Sequence, residues 1–364
     1  MKILVLATDY PDDKGGLNLA YIRTRNVLYH ENGENITVIN FSTDHSYMID
    51  GIEVLSFCDF KKRHNFDFDL LLSHAPNLRN HYLFLIKYGK FFKKKVFFFH
   101  GHEVLKLNEV YSTPFPYVRR NKIKKKFQDV YDNIKFKFWR NYFNNNYASS
   151  YFIFVSNWMK DEFLKWIAPK SHVLENRNFI TYNCIGKFFE DNTYDSSSVK
   201  KYDFVTIRAN LDGSKYCVDI VNDLAWENPD LKFLVVGKGE FFNHYKKAPN
   251  LDWISKRLNH SEMKDILNSS RIALMPTRTD AQGVMMCEMA AFGMPLITSD
   301  IPVCHEVFNN YPGVAFMDNT DYKNIDIKNM SSKISGTAIK DNRYFNSKVG
   351  IEELEILRII NSNL

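Results

Sequence analysis

Two carboxylates eight residues apart, Asp280 and Glu288, are where this chain first suggests chemistry. They lie in the stretch IALMPTRTDAQGVMMCEMAAFGMPLITSDIPVCHE, residues 272–306. IALM reads as a short buried strand, and PTRTDAQG as a polar turn ending at Gly283. VMMCEMAAF holds neither Gly nor Pro and reads as a helix. Gly293, Met294 and Pro295 stop it, and LIT begins another strand. Asp280 therefore stands at the mouth of a helix, and Glu288 lies within it, the helix rising roughly 7.5 Å from Gly283 to Glu288. Between them are the free N–H groups of a helix N-terminus, which favour an anion. Each carboxylate alone has a plainer explanation: an Asp before a helix is most often an N-cap, and a helical Glu most often faces solvent.

A second pair is cationic. Arg208 ends the strand DFVTIR, and after NLDGS Lys215 is expected to open the next helix. Two cations at the carboxyl end of a strand can clamp a diphosphate, Arg bidentately and Lys as a point charge; the plainer reading is surface charge. Carboxylate, anion site and carboxylate in that order match a ligand with a hydroxylated ring at each end of a phosphate bridge. A nucleotide sugar has that shape.

Three other motifs are weak. VGKGEFF (236–242) begins like a dinucleotide fingerprint, but Phe242 takes the third glycine position and the motif lies far from the first strand. DFD (67–69) opens a strand with no third ligand nearby, and HGHE (100–103) lacks the H-E-x-x-H spacing. No metal site is expected.

The elements that would position these residues alternate. KILVLA, ITVINF, DLLLSH, KVFFFH and YFIFVS are short apolar strands separated by helical stretches, with a hairpin at Asp50-Gly51. After the Ser-, Asp- and Lys-rich segment 186–203 the pattern restarts with DFVTIR, KFLVVG, LDWIS, IALM and LIT. Such alternation implies parallel sheets covered on both faces, with ligands bound beyond the strands' carboxyl ends. Gly15, Gly16, His74 and His100 fall on that expected rim. The boundaries read as a first domain over 1–185, a linker over 186–202, a second domain over 203–340, and a C-terminal helix over 341–364 reaching back to the first domain.

Composition sets the bounds. The 364 residues, 45% of them hydrophobic, suffice for two cores, and five scattered cysteines form no C-x-x-C. This favours a reducing, cytoplasmic setting. The start MKILVLATDYPDD lacks the features of a signal peptide, and no run of about 18 apolar residues occurs. The net charge of +6 is modest and no nucleic-acid motif stands out. Basic, aromatic-rich residues concentrate in 88–95 and 117–143. There Val118, Ile123, Phe127, Val130, Ile134 and Phe138 recur at helical spacing, a stripe suited either to the first domain's core or to an anionic membrane surface.

Taken together these residues resemble the family-4-type retaining glycosyltransferases of the GT-B fold. The pattern is a Glu, seven residues, a second Glu and a small-residue run with Gly and Pro. It stands here as Asp280, AQGVMMC, Glu288, MAAFGMP, continuing through TSD to Glu306. IRANLDGSK, LVVGKGE, FVSNWMKDEF, VLENRNF and KKVFFFHGHE resemble further family segments. Asp280 stands where the family has Glu, Gln282 where it has an aromatic, and Arg177 where it has Gly.

The resemblance implies two Rossmann-like, doubly wound α/β domains facing across a cleft, and retaining transfer of a sugar from a nucleotide-diphosphate sugar to a hydroxyl of a glycan or lipid-linked acceptor. It gives Glu288 the ribose hydroxyls, Arg208 and Lys215 the pyrophosphate, and Asp280 the donor sugar. Backbone N–H groups around Gln282, Gly283, Val284, Gly15 and Gly16 would approach phosphates and sugar, and His100 would lie beside the anomeric centre. No cofactor or metal is implied, and UDP is favoured over GDP as carrier. The expected setting is surface polysaccharide or glycoconjugate synthesis at the inner face of a membrane. The alternatives are an inactive subunit supporting a partner enzyme and a nucleotide-sugar epimerase of the same fold.

Overall fold

In the computed structural model, residues 1–12, 19–63, 66–118, 122–334 and 338–362 are described. They form two compact units: residues 1–106, 130–184 and 345–364 make the first, and 107–129 with 185–344 the second.

The first unit is built on strands β1 (Lys2–Ala7), β2 (Asn35–Asn40), β3 (Tyr47–Ile49), β4 (Ile52–Ser56), β5 (Leu70–His74), β6 (Lys95–Phe99), β7 (Ser150–Phe154) and β8 (Asn178–Ile180). Their order is β3-β4-β2-β1-β5-β6-β7-β8. All pairs are parallel except β3 with β4, whose turn uses positive φ at Asp50 and Gly51. Successive strand residues face opposite sides of the sheet. Ile3, Val5, Val96 and Phe98 meet Leu354, Leu357 and Ile360 of the helix Ile351–Ser362 on one side. On the other, Phe97 packs edge-on against Trp139 and Phe143.

The C-terminal helix is anchored by a buried ion pair, Arg25 to Glu353 at 2.9 Å. Glu353 also accepts from the Tyr29 hydroxyl and from Thr181 Oγ1 at 2.7 Å. Arg25 beside Glu353 holds its proton more tightly than an ordinary arginine, although burial opposes this.

The second unit contains β9 (Tyr202–Asn210), β10 (Phe233–Lys238), β11 (Leu251–Ile254), β12 (Ser270–Leu274), β13 (Leu296–Ser299) and β14 (Val314–Met317). The order is β11-β10-β9-β12-β13-β14, with parallel pairing throughout. The chain winds outward from β9 to β11, then returns to β12 and winds the other way. The switch point thus lies between β9 and β12, where open α/β sheets bind ligands.

Two segments sit differently from the contiguous boundaries that the sequence suggests. Residues 107–129 belong with the second unit because Phe115 enters its core and the Tyr117 hydroxyl donates to Asp212 at 2.8 Å. The expected linker is structured: it holds the helix Lys187–Asp191, and Tyr194 donates its N–H to Phe292 O at 2.7 Å and its hydroxyl to Ser270 O at 2.8 Å. The six stripe residues from Val118 to Phe138 are all exposed rather than core. The helix Lys122–Asn146 buries Phe136, Trp139, Tyr142 and Phe143 instead, so its aromatic face, not the stripe, fills the interior.

Candidate functional site

Arg208 ends the buried part of β9, at the switch point, and is only 6% exposed. Its Nη2 donates to Pro276 O at 2.7 Å, and its Nε is buried without a hydrogen-bond partner among the described residues. Burial pulls the guanidinium below its ordinary pKa while the charge of Asp280 opposes this. Leaving a buried cation short of partners is costly unless something supplies them.

Gly237 explains how the neighbouring strand fits here. A Cβ on it would lie 2.1 Å from Arg208 O, and the β9–β10 register shifts at this point. The glycine of VGKGE therefore serves close backbone approach beside Arg208.

Lys215 does not open a regular helix. It sits in the single turn Ser214–Tyr216, and the helix proper begins at Val218 after Cys217 in the left-handed region. The Arg208 guanidinium carbon lies 5.0 Å and the Lys215 ammonium 4.7 Å from the centroid of the same Tyr216 ring. Lys215 is also 5.3 Å from the Tyr111 ring. The two cations therefore converge on one aromatic.

The turn after β12 holds Lys215's backbone in place. Arg278 N–H and Thr277 Oγ1 donate to Lys215 O at 2.8 and 3.1 Å. The Arg278 side chain grips Asp219 bidentately at 3.0 and 2.6 Å and donates to Ser214 O at 2.5 Å. Sequence reading missed Arg278, Tyr216 and Tyr111. Arg278 was visible in PTRTDAQG, but its partner lies 59 positions away.

The helix of the opening motif is Val284–Phe292. Its N-cap is Gly283 at φ 79°, with no side-chain cap; a Cβ there would come within 2.1 Å of Met286 Cε. The first-turn N–H groups, that of Val284 foremost, are thus left without a capping side chain. Asp280 is not the cap: its Oδ1 accepts from Ala281 N–H at 2.8 Å, and its Oδ2 lies 3.7 Å from where a Gly283 Cβ would be. Nor is Glu288 on a solvated face. It is partly buried, and burial lifts its carboxyl to about 7. Gln282 turns inward, its Nε2 donating to Cys287 Sγ at 3.5 Å.

The second unit thus carries Arg208 and Lys215 at and after the carboxyl end of β9, and Asp280 and Gly283 after that of the neighbouring β12, with Glu288 further along the helix that follows. His100 lies in the first unit, just beyond β6. Its Nδ1 pairs with Asn183 Oδ1 at 3.1 Å and its Nε2 with His74 Nδ1 at 3.2 Å. Burial holds both imidazoles well below their ordinary pKa, so both are neutral. Asn183 accepting from Nδ1–H leaves Nε2 as the acceptor for His74. For His100 to offer a nitrogen to a ligand, one of these bonds must be exchanged. Glu103 fastens the loop, accepting from the backbone N–H of His100 and, at 3.0 Å, of Gly101. Gly15 and Gly16 lie outside the described residues.

The first unit has its own cleft of about 520 Å³, lined by Thr8, Phe41, Ser42, Asn77, Arg79 and Asn80. These residues follow the carboxyl ends of β1, β2 and β5, the switch point of that sheet. Asp67 and Asp69 of the DFD motif bind Lys2, through its ammonium and, at 2.7 Å, its backbone N–H. Among the described residues no three His, Cys, Asp or Glu side chains are grouped to hold a metal ion.

Comparison with known proteins fits this geometry. Residues 204–325 match the model of the family described as glycosyl transferases group 1. No curated protein sequence matches the chain. Among solved structures, a sucrose-phosphate synthase from Thermosynechococcus elongatus superposes with a TM-score of 0.72 at 11% identity, covering 99% of both chains. The Anabaena protein HepE, solved with UDP and glucose, gives 0.66 at 13% identity over 99% of this chain and 100% of that one. A glycosyltransferase from Rickettsia africae gives 0.66 at 15% identity over 100% and 99%. The architecture is that of a GT-B protein with two Rossmann-like domains. Within it, the second unit carries a glycosyl transferases group 1 domain.

Proposed function

We propose that the chain is a retaining, metal-independent glycosyltransferase of the family-4 type that uses a nucleotide-diphosphate sugar. The observation that carries this is Arg208: a buried guanidinium whose Nε has no hydrogen-bond partner among the described residues, at the sheet's switch point, in a unit where the loop after β12 ends at Gly283, a helix N-cap with no side-chain cap. A diphosphate supplies what these groups lack. Lys215, converging with Arg208 on Tyr216, adds the second charge. Glu288 takes the ribose hydroxyls and Asp280 the hydroxyls of the donor sugar.

In the reaction, the bond from the anomeric carbon to the β-phosphate oxygen breaks as the acceptor oxygen attacks the same face. Negative charge grows on the leaving phosphate, and the acceptor's proton passes to it. Cations and helix N–H groups already in place stabilise that charge without reorganising, usually a large catalytic contribution. The acceptor is assigned to the first unit's cleft, where Phe41 offers an aromatic face and Ser42, Asn80 and Arg79 offer polar groups. UDP is the preferred carrier, and surface polysaccharide or glycoconjugate synthesis on the cytoplasmic side of a membrane is the setting.

The test is a screen of nucleotide sugars for release of nucleoside diphosphate, with and without chelator, followed by determination of the product's anomeric configuration. Release with retention is expected. Inversion, or loss of activity with chelator, removes those parts of the reading. A sugar altered without any acceptor points to an epimerase, and the absence of turnover with any donor points to an inactive subunit.

A further inference from the structure

Between residues 106 and 130 the chain leaves the first unit and lies on the second. The centre of this excursion reads YSTPFPY, residues 111–117. Pro114 and Pro116 fix their own φ and push Thr113 and Phe115 towards extended backbone, so the segment gives up little freedom when it docks. Phe115 is buried in the second unit's core, its ring 5.0 Å from that of Phe241. The Tyr117 ring stacks on His244 at 4.1 Å. Anchored by these aromatics, the segment reaches the loop between β9 and the helix Val218–Glu227, which carries Lys215.

Its contacts follow that loop in order. The Tyr117 hydroxyl donates to Asp212 Oδ1 at 2.8 Å. The hydroxyls of Ser112 and Ser214 share a hydrogen bond at 2.9 Å. The Tyr111 ring then lies 5.3 Å from the Lys215 ammonium, which is 4.7 Å from the Tyr216 ring. Gly213 leaves room for Tyr216, since a Cβ there would lie 2.9 Å from its ring. Ring faces attract a cation and restrict a long, flexible side chain. They carry no charge, so they order the ammonium without neutralising it. Arg278, by contrast, is paired with the Asp219 carboxylate. A lysine held in this way meets an anion with the cost of ordering its side chain already met.

We propose that residues 111–117 form a strap that presets Lys215 for the donor's diphosphate, with Tyr111 as the positioning residue. Tyr111 acts through Lys215 and is not itself a diphosphate ligand. Ser112 and Tyr117 hold the loop at Ser214 and Asp212, while Arg278 and Thr277 hold the Lys215 carbonyl. Backbone and ammonium of one lysine are thus fixed by separate segments, and only the ammonium is left with its charge uncancelled. The positioning role rests on the transferase reading; the strap's hold on the loop does not.

The test is calorimetry on the full chain with UDP, GDP and ADP, and with the monophosphate of whichever binds most tightly. Tyr111→Leu should weaken diphosphate binding about three- to tenfold and weaken the monophosphate less. Tyr111→Phe, which keeps the ring, should restore the parent's affinity. In a Lys215→Met background Tyr111→Leu should have no further effect, because the two residues act as one. In the nucleotide-free chain, amide hydrogen exchange over 211–216 should rise in Tyr111→Leu and in Ser112→Ala. Circular dichroism checks folding, and Tyr111→Met is read in place of a Leu variant that fails to fold. Diphosphate affinity equal to the parent's in Tyr111→Leu, an equal loss in Tyr111→Phe, or a loss that adds to that of Lys215→Met overturns the proposal. So does tighter binding, which would mean that the ring withholds the lysine. A parent that binds none of the nucleotides refutes the transferase reading and the positioning role with it; exchange over 211–216 then decides the strap by itself, and no rise in either variant refutes it.

Discussion

Arg208→Met separates a ligand-binding role from a structural one. Met keeps much of the side chain's length but removes the charge and its donors. In the free protein the guanidinium of Arg208 is 6% exposed and, among the described residues, donates to the Pro276 carbonyl and leaves Nε without a partner. Removing a desolvated, poorly paired cation is therefore expected to be neutral for folding or to raise stability, as buried charge replaced by apolar volume often does. Binding should move the other way. Losing charge-assisted hydrogen bonds to a diphosphate costs roughly 1.5–3 kcal/mol, about 12- to 140-fold in Kd at 1.4 kcal/mol per tenfold. Thermal unfolding reads both at once. A nucleoside diphosphate at about 100 times its Kd stabilises the parent by about 2.7 kcal/mol; a hundredfold weaker variant gains only about 0.4 kcal/mol at the same concentration. Turnover should fall by a further factor of about 100–1,000 if the cation also meets charge that grows in the transition state. A variant that binds nucleotide like the parent, or that unfolds without ligand, refutes the reasoning.

Three more outcomes follow from the same geometry. Burial holds the Glu288 carboxyl near 7, up from an ordinary 4.5, and ribose hydroxyls need the carboxylate as acceptor; nucleotide affinity measured by calorimetry should therefore rise as pH increases through 7 and level off above. Glu288→Gln should flatten this component and stabilise the free protein at pH 8 but not at pH 5, because the folded state keeps a proton that the unfolded state has lost between about 4.5 and 7. Gly283→Ala should cost about 1–3 kcal/mol in denaturant titration, from φ 79° and from the 2.1 Å approach to Met286 Cε, and should weaken nucleotide binding by tilting the uncapped helix start. Glu353→Ala leaves Arg25 buried without its partner and should cost about 3–5 kcal/mol, with hydrogen exchange rising first in the helix Ile351–Ser362; Arg25→Met combined with Glu353→Leu should recover most of it.

The alternation of apolar strands and helices was readable because its signal is local. Each strand needs only a short run of Val, Ile, Leu or Phe, and the turn at Asp50-Gly51 only residues that accept positive φ. The order Asp280, helix mouth, Glu288 was readable for the same reason, since helix geometry ties sequence spacing to distance. What those two carboxylates do was not readable. An N-cap and a solvated glutamate were the plainer explanations, and only the folded unit shows Gly283 in the cap position and burial lifting Glu288.

Three features were decided by packing alone. The stripe from Val118 to Phe138 has the period of a buried face, but periodicity cannot say which face of a helix with two apolar sides turns inward; Trp139 and Phe143 won that place. Residues 107–118 precede the second unit by many positions, yet Phe115 fills its core and Tyr111 reaches Lys215. Arg278 is an ordinary turn residue until the sheet brings Asp219 to it. The sequence determined the elements and the chemical types on them, because propensity and spacing act over a few residues. Tertiary structure decided which cation is left short of partners and which apolar face is left uncovered, because both depend on contacts between residues far apart in the chain.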